Sequence, residues 1–95
     1  MTNSRIDLPA FFETIGDDPR ITVTHISLYL SMFSEWEQER KEFFELSREH
    51  LMKRAKISAR STYEKTLGDL HNFGYIFYER GRGLQKGKIR FNRLV

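Results

Sequence analysis

The 95-residue chain contains no cysteine, two prolines and one tryptophan. Without cysteine there can be no disulfide scaffold, no thiolate metal site and no cysteine nucleophile, and the zero count suits a reducing compartment. No stretch reaches the roughly 18 consecutive apolar residues that a membrane-spanning helix needs. The opening MTNSRIDLPAFF has no apolar run of signal-peptide length, so a cytoplasmic protein without a membrane partner is expected. A Walker-type phosphate loop is also missing, since Gly81-Arg82-Gly83 is only a turn. His25, His50 and His71 are scattered without metal-ligand spacing, and Asp17-Asp18 precedes a proline in a turn. The serines have no nucleophile context. No enzyme, cofactor, metal or small-molecule substrate is expected.

What is present is a core and an uneven charge. Hydrophobic residues make up 39% of the chain and aromatics 14%, enough for a packed interior and too much for disorder. The length fits one domain over 1–95, with a 1–19 N-terminal extension bearing a short helix and a 20–93 core. The net charge of +3 hides an asymmetry. Residues 1–45 carry four basic and nine acidic side chains, a net of −5; residues 46–95 carry twelve basic and four acidic, a net of +8.

Periodicity divides the chain into elements. Asp7-Leu8-Pro9 is an N-cap with proline in the first turn, and Leu8, Phe11, Phe12 and Ile15 form one helical stripe stopped by Gly16. A longer helix starts near Thr22 or Thr24 and runs to about Arg40, with Ile26, Tyr29, Leu30, Phe33 and Trp36 at helical spacing. Residues 43–46 are a short strand or a buried connector. Ser47 caps a helix over 48–55 that turns Leu51, Met52 and Ala55 inward. Lys56-Ile57-Ser58 is a break, and Ser58 caps a second helix with Tyr63, Leu67, Leu70 and Phe73 on one face until Gly74. Residues 75–79 and 88–92 have strand character and form a hairpin around a basic, glycine-rich loop.

Two helices joined by a tight turn make a helix-turn-helix unit. From Ser58 the chain runs S-A-R-S-T-Y-E-K-T-L-G-D-L-H-N-F-G-Y-I. This run resembles the winged helix-turn-helix family of DNA-binding domains, with a capping serine, a Ser/Thr pair, a core residue at Tyr63, leucines at 67 and 70, and a Gly74-Tyr75-Ile76 exit into the wing. The resemblance covers about residues 20–93. Arg20-Ile21-Thr22, His25-Ile26-Ser27-Leu28-Tyr29 and the Ser61-Thr62-Tyr63 start are also similar to small winged-helix proteins of bacterial mobile elements. The implied fold is α+β and mostly helical, with a three-helix core, a C-terminal β-hairpin wing and an extra short N-terminal helix.

The residues support a DNA partner on their own terms. With Tyr63, Leu67 and Leu70 inward, Ser61, Lys65, Gly68 and Asn72 face outward, flanked by Thr62 and Glu64. The segment Ala59, Arg60, Ser61, Thr62 to Lys65 is short and hydrogen-bonding, as a helix in the major groove requires. Arg80, Arg82, Lys86, Lys88 and Arg90 lie within eleven residues that include three glycines, which would leave the loop thin and supple over backbone or minor groove. Arg48, Lys53, Arg54 and Lys56 add charge on the preceding helix. About five phosphate contacts give a log–log salt slope near −4 to −5.

The expected function is double-stranded DNA binding, as a transcriptional regulator or mobile-element accessory protein. A replication-initiation or recombination factor would use the same surface. A protein-interaction module on the same scaffold is the rival from another class, and RNA binding is a third option. Other roles stay open for single residues. Arg60 and Lys65 can pair with Glu64 or Asp69; Tyr75, Phe77 and Tyr78 can stack on bases or pack the hairpin. Large aromatics in the acidic half (Phe11, Phe12, Trp36, Phe43 and Phe44) would be core or a self-association patch, so any homodimer would use residues 1–45, and otherwise the protein acts as a monomer.

Overall fold

A computed structural model describes residues 8–39 and 42–94. The elements, in order, are α1 (Leu8–Gly16), α2 (Val23–Glu39), β1 (Phe44–Glu45), α3 (Arg48–Ala55), α4 (Arg60–Asn72), β2 (Ile76–Glu79) and β3 (Lys88–Phe91). The fold is α+β and mostly helical, with four helices and one antiparallel sheet of order β1-β3-β2. The Asp7 cap and the Arg40 helix end lie outside the described residues. No helix among the described residues is long and apolar enough to cross a membrane.

Two helix ends explain why the chain turns where it does. At the start of α2 the Thr22 carbonyl accepts from the Ile26 N–H at 3.1 Å, while the Thr22 N–H donates to His25 Nδ1 at 2.9 Å. The His25 ring, three residues on, thus supplies the return half of a capping box in the place of the usual Glu or Gln. At the end of α3, Lys56 adopts the left-handed conformation (φ 63°, ψ 40°) that glycine normally supplies. The Ile57 N–H reaches back to the Met52 carbonyl at 2.9 Å, and Ile57 is buried. This tight closure moves the next helix start one residue along. Ala59, rather than Ser58, takes the extended N-cap position of α4, and no side chain caps it.

The core lies between α2, α3, α4 and the inner face of the sheet. Leu28, Met32, Leu67, Leu70 and Ile89 are fully buried. Along α2 the deepest residues are Leu28, Tyr29, Met32 and Trp36, whereas Ile26, Leu30 and Phe33 are only half-buried. The stripe is displaced from its expected line because α2 packs against both α3 and α4 and so buries more than one face. On α1, Phe11 stacks on Tyr29 at 4.0 Å between ring centroids, but Phe12 remains 49% exposed. In the sheet, Phe44, Ile76, Tyr78, Ile89 and Phe91 face inward, as the period of two requires. Phe77, Glu79, Lys88 and Arg90 alternate with them on the outer face.

A polar latch fastens the N-terminal helix to the rest. The Asp18 carboxylate takes a two-pronged contact from Arg20 (Nε–Oδ1 2.8 Å, Nη2–Oδ2 2.9 Å) and accepts from the Tyr75 hydroxyl at 2.8 Å. Arg20 also lies over the Phe73 ring at 4.1 Å. The Arg20 guanidinium holds the Asp18 carboxyl well below the usual carboxylate range. Burial, reinforced by Asp18, pushes the Tyr75 phenol up to about 12.

Candidate functional site

The loop joining β2 to β3 is closed tightly. Gln85 N–H donates to the Arg82 carbonyl at 2.8 Å, with Gly83 in the left-handed region at φ 57°. A Cβ on Gly81 would fall onto the backbone of Gln85, Lys86 and Gly87. Gly87 is pressed against Tyr78, where a Cβ would stand 3.1 Å from the ring. The Leu46 N–H donates to the Gly87 carbonyl at 2.8 Å, tying the loop base to the chain beyond β1. The glycines therefore permit close backbone packing rather than suppleness.

This loop, the start of α3 and the first turn of α4 enclose an open cleft of about 670 Å³. Arg48 enters it from α3, Arg60 from α4, and Arg80 and Lys86 from the loop. Tyr63 and Tyr78 also line it, as do the carboxylates Glu49 and Glu64. Burial raises the pKa of both phenols, and Glu64 adds to the shift, so each hydroxyl stays protonated and able to donate. Four guanidinium or ammonium groups against two carboxylates leave the cleft positive.

Pairing separates the basic residues further. Arg20 is tied to Asp18, Arg54 to Glu35 and Arg90 to Glu42. Arg48, Arg60, Arg80, Arg82, Lys86 and Lys88 enter no ion pair among the described residues. Lys65 is different: its Nζ lies 2.8 Å from Asp69 Oδ2 on α4. The same oxygen accepts from His25 Nε2 at 2.9 Å. His25 is buried, and its Nδ1 is occupied by Thr22, so the ring proton sits on Nε2 and points at Asp69. Lys65 and His25 together hold the Asp69 carboxyl below its ordinary value.

The expected site residues thus fall into groups. Arg48, Arg60, Arg80 and Lys86 converge on the cleft. Ala59, Ser61, Thr62 and Lys65 are exposed along the start and outer side of α4, continuous with Arg60. Arg82 stands in the turn at the loop tip, and Lys56 is exposed at the α3–α4 corner. Lys88 and Arg90 are not brought to the cleft. Lys88 is on the outer sheet face between Glu45 and Glu79 in register. Arg90 lies against the rings of Phe43 and Phe77, at 5.3 and 5.2 Å. Period-two alternation already separated 88 and 90 from the loop; their charge alone suggested otherwise.

Comparisons of the chain with protein-family models, with curated proteins and with solved structures found no match. The site therefore rests on its own geometry. The sequence offered Tyr78 for stacking or hairpin packing and Tyr63 for the core, but it did not point to a cleft shared by the two phenols, to the Asp18 latch or to the His25–Asp69 bond. The spacing Thr22-x-x-His25 was a signal for the cap, but nothing local announces a partner 44 positions away. Among the described residues no three His, Asp or Glu side chains gather to hold a metal.

Proposed function

We propose that this fold is a winged helix-turn-helix that binds double-stranded DNA, with α4 in the major groove and the β2–β3 loop on the adjoining backbone or minor groove. The observation that carries the proposal is the cleft. Four cations from three separate elements converge there without an ion-pair partner among the described residues. Such a cluster repels itself in the free protein and is relieved by phosphate. The α3–α4 pair joined by four residues and the sheet order β1-β3-β2 agree with the scaffold. The outer side of α4 adds short donors at Ser61 and Thr62, with room at Gly68, where a Cβ would meet nothing within 4 Å.

The resemblance to regulators and mobile-element proteins makes transcriptional regulation or an accessory role the working assignment. A cytoplasmic location goes with it. Homodimerisation through residues 1–45 would use the exposed Phe12 and Phe43, at 49% and 37%. A second reading, a protein-interaction module, rests on Phe43 and Phe77 flanking Arg90 on the outer sheet face.

The test is a titration of random duplex DNA at two salt concentrations. Arg48, Arg60, Arg80, Arg82 and Lys86 as phosphate contacts give a log–log slope near −4 to −5, and each Arg60→Ala or Arg80→Ala change flattens it by about 1. Arg54→Ala, away from the cleft and paired with Glu35, leaves the slope unchanged. Salt-insensitive binding, or wild-type behaviour of both cleft variants, overturns the proposal.

A further inference from the structure

Leu84 is fully exposed at the tip of the β2–β3 loop, at 103% of its reference area. It occupies the centre of the turn closed by Arg82 and Gln85, immediately after the left-handed Gly83. The loop beneath it is braced by the close packing of Gly81 on the 85–87 backbone and of Gly87 on Tyr78. An apolar side chain is thus held out on a stiff support, not left on a slack one. Its neighbours in sequence are Arg80, Arg82 and Lys86, and no acidic residue follows Glu79 anywhere in the chain.

We infer that Leu84 is a wedge that enters the minor groove of duplex DNA and partly unstacks one base step, with Arg82 and Lys86 on the flanking phosphates. This rests on the DNA-binding reading above and deepens it, because it makes the protein one that bends its target. Proteins that work in this way insert a single apolar side chain between base pairs and kink the duplex. Charge complementarity selects the occupant. The loop carries cations on both sides of its one apolar group, as two phosphate strands flanking a groove require. A bilayer would need more apolar surface than one leucine, and residues 80–88 contain no second large apolar side chain. Pyrimidine–purine steps such as TA are the easiest to open, so the wedge should favour them.

The experiment uses the full chain and an AT-rich duplex of about 30 bp with a central TA step, labelled at its ends for energy transfer and carrying 2-aminopurine at that step. Wild type should shorten the end-to-end distance and raise 2-aminopurine fluorescence. Leu84→Ser should lose both signals while keeping affinity within about three-fold, since insertion and unstacking largely offset each other. Leu84→Met should restore them. The side chain touches nothing in the free fold, and circular dichroism of each variant checks that. Bound but straight DNA with wild type, or bending that survives in Leu84→Ser, overturns the wedge and leaves DNA binding intact. No binding by wild type at low salt overturns both. Leu84-dependent binding to phosphatidylserine vesicles, with straight DNA, overturns the wedge in favour of a lipid surface.

Discussion

Replacing Asp69 with alanine tests whether one carboxylate joins the interior to the outer face of α4. Asp69 Oδ2 accepts from His25 Nε2 at 2.9 Å and from Lys65 Nζ at 2.8 Å. The two contacts differ in worth. The Lys65 side chain is 77% exposed, and an i,i+4 surface pair of that kind contributes about 0.4 kcal/mol. The His25 side chain is 8% exposed, so alanine would strand a ring N–H beneath α4 and cost about 2 kcal/mol. Asp69→Ala should therefore lose about 2–2.5 kcal/mol, and Lys65→Ala no more than about 0.5. Urea unfolding followed by circular dichroism measures both, with the slope expected to stay constant. His25→Ala combined with Asp69→Ala should fall short of the sum, because the two share a contact. If Asp69→Ala costs no more than Lys65→Ala, the bond does not hold α2 to α4. The same variant frees Lys65, so its DNA affinity at low salt should not fall even as stability does.

Two further outcomes follow from the geometry. Gly68→Ala places a methyl group in open space on a helix interior and should stabilise the free protein by about 1 kcal/mol. If DNA approaches α4 closely at that point, the same change weakens binding, so a more stable variant with lower affinity is expected in thermal melts and titrations. Acid should destabilise the fold. Asp18 and Asp69 both titrate lower in the native state than their ordinary 3.8, so the unfolded chain takes up protons first. Their contribution is complete above about pH 5 and disappears as pH falls below 3.8 through the lowered native values. Tyr75→Phe should soften this acid loss by removing one donor to Asp18, as urea unfolding at a series of pH values would show.

Much of the architecture was legible because it depends on local order. The Leu67–Leu70 face of α4, the Gly74 stop, the period-two run at 88–91 and the split of charge into −5 and +8 are properties of neighbours along the chain. The break before α4 was visible too, but not its Lys56 corner, because a lysine gives no sign of a left-handed backbone. Burial along α2 was misaligned by about a residue, since two partners rather than one cover that helix. Phe12 has the spacing of a core residue and yet is exposed, because the space beside Tyr29 is filled by Phe11.

The linear order of residues settles which charges exist, which half carries them and which residues of α4 face outward. Those follow from composition and from 100° per residue. Packing set which cations meet. It brought Arg48, Arg60, Arg80 and Lys86 around one cleft, sent Lys88 and Arg90 to the other face of the sheet, and tied Lys65 to Asp69. It also turned three glycines from flexible links into packing contacts and a tight turn that hold Leu84 outward. The physical reason is range: helix and strand periods act over a few residues, whereas a cluster of charges is set by how separate elements pack.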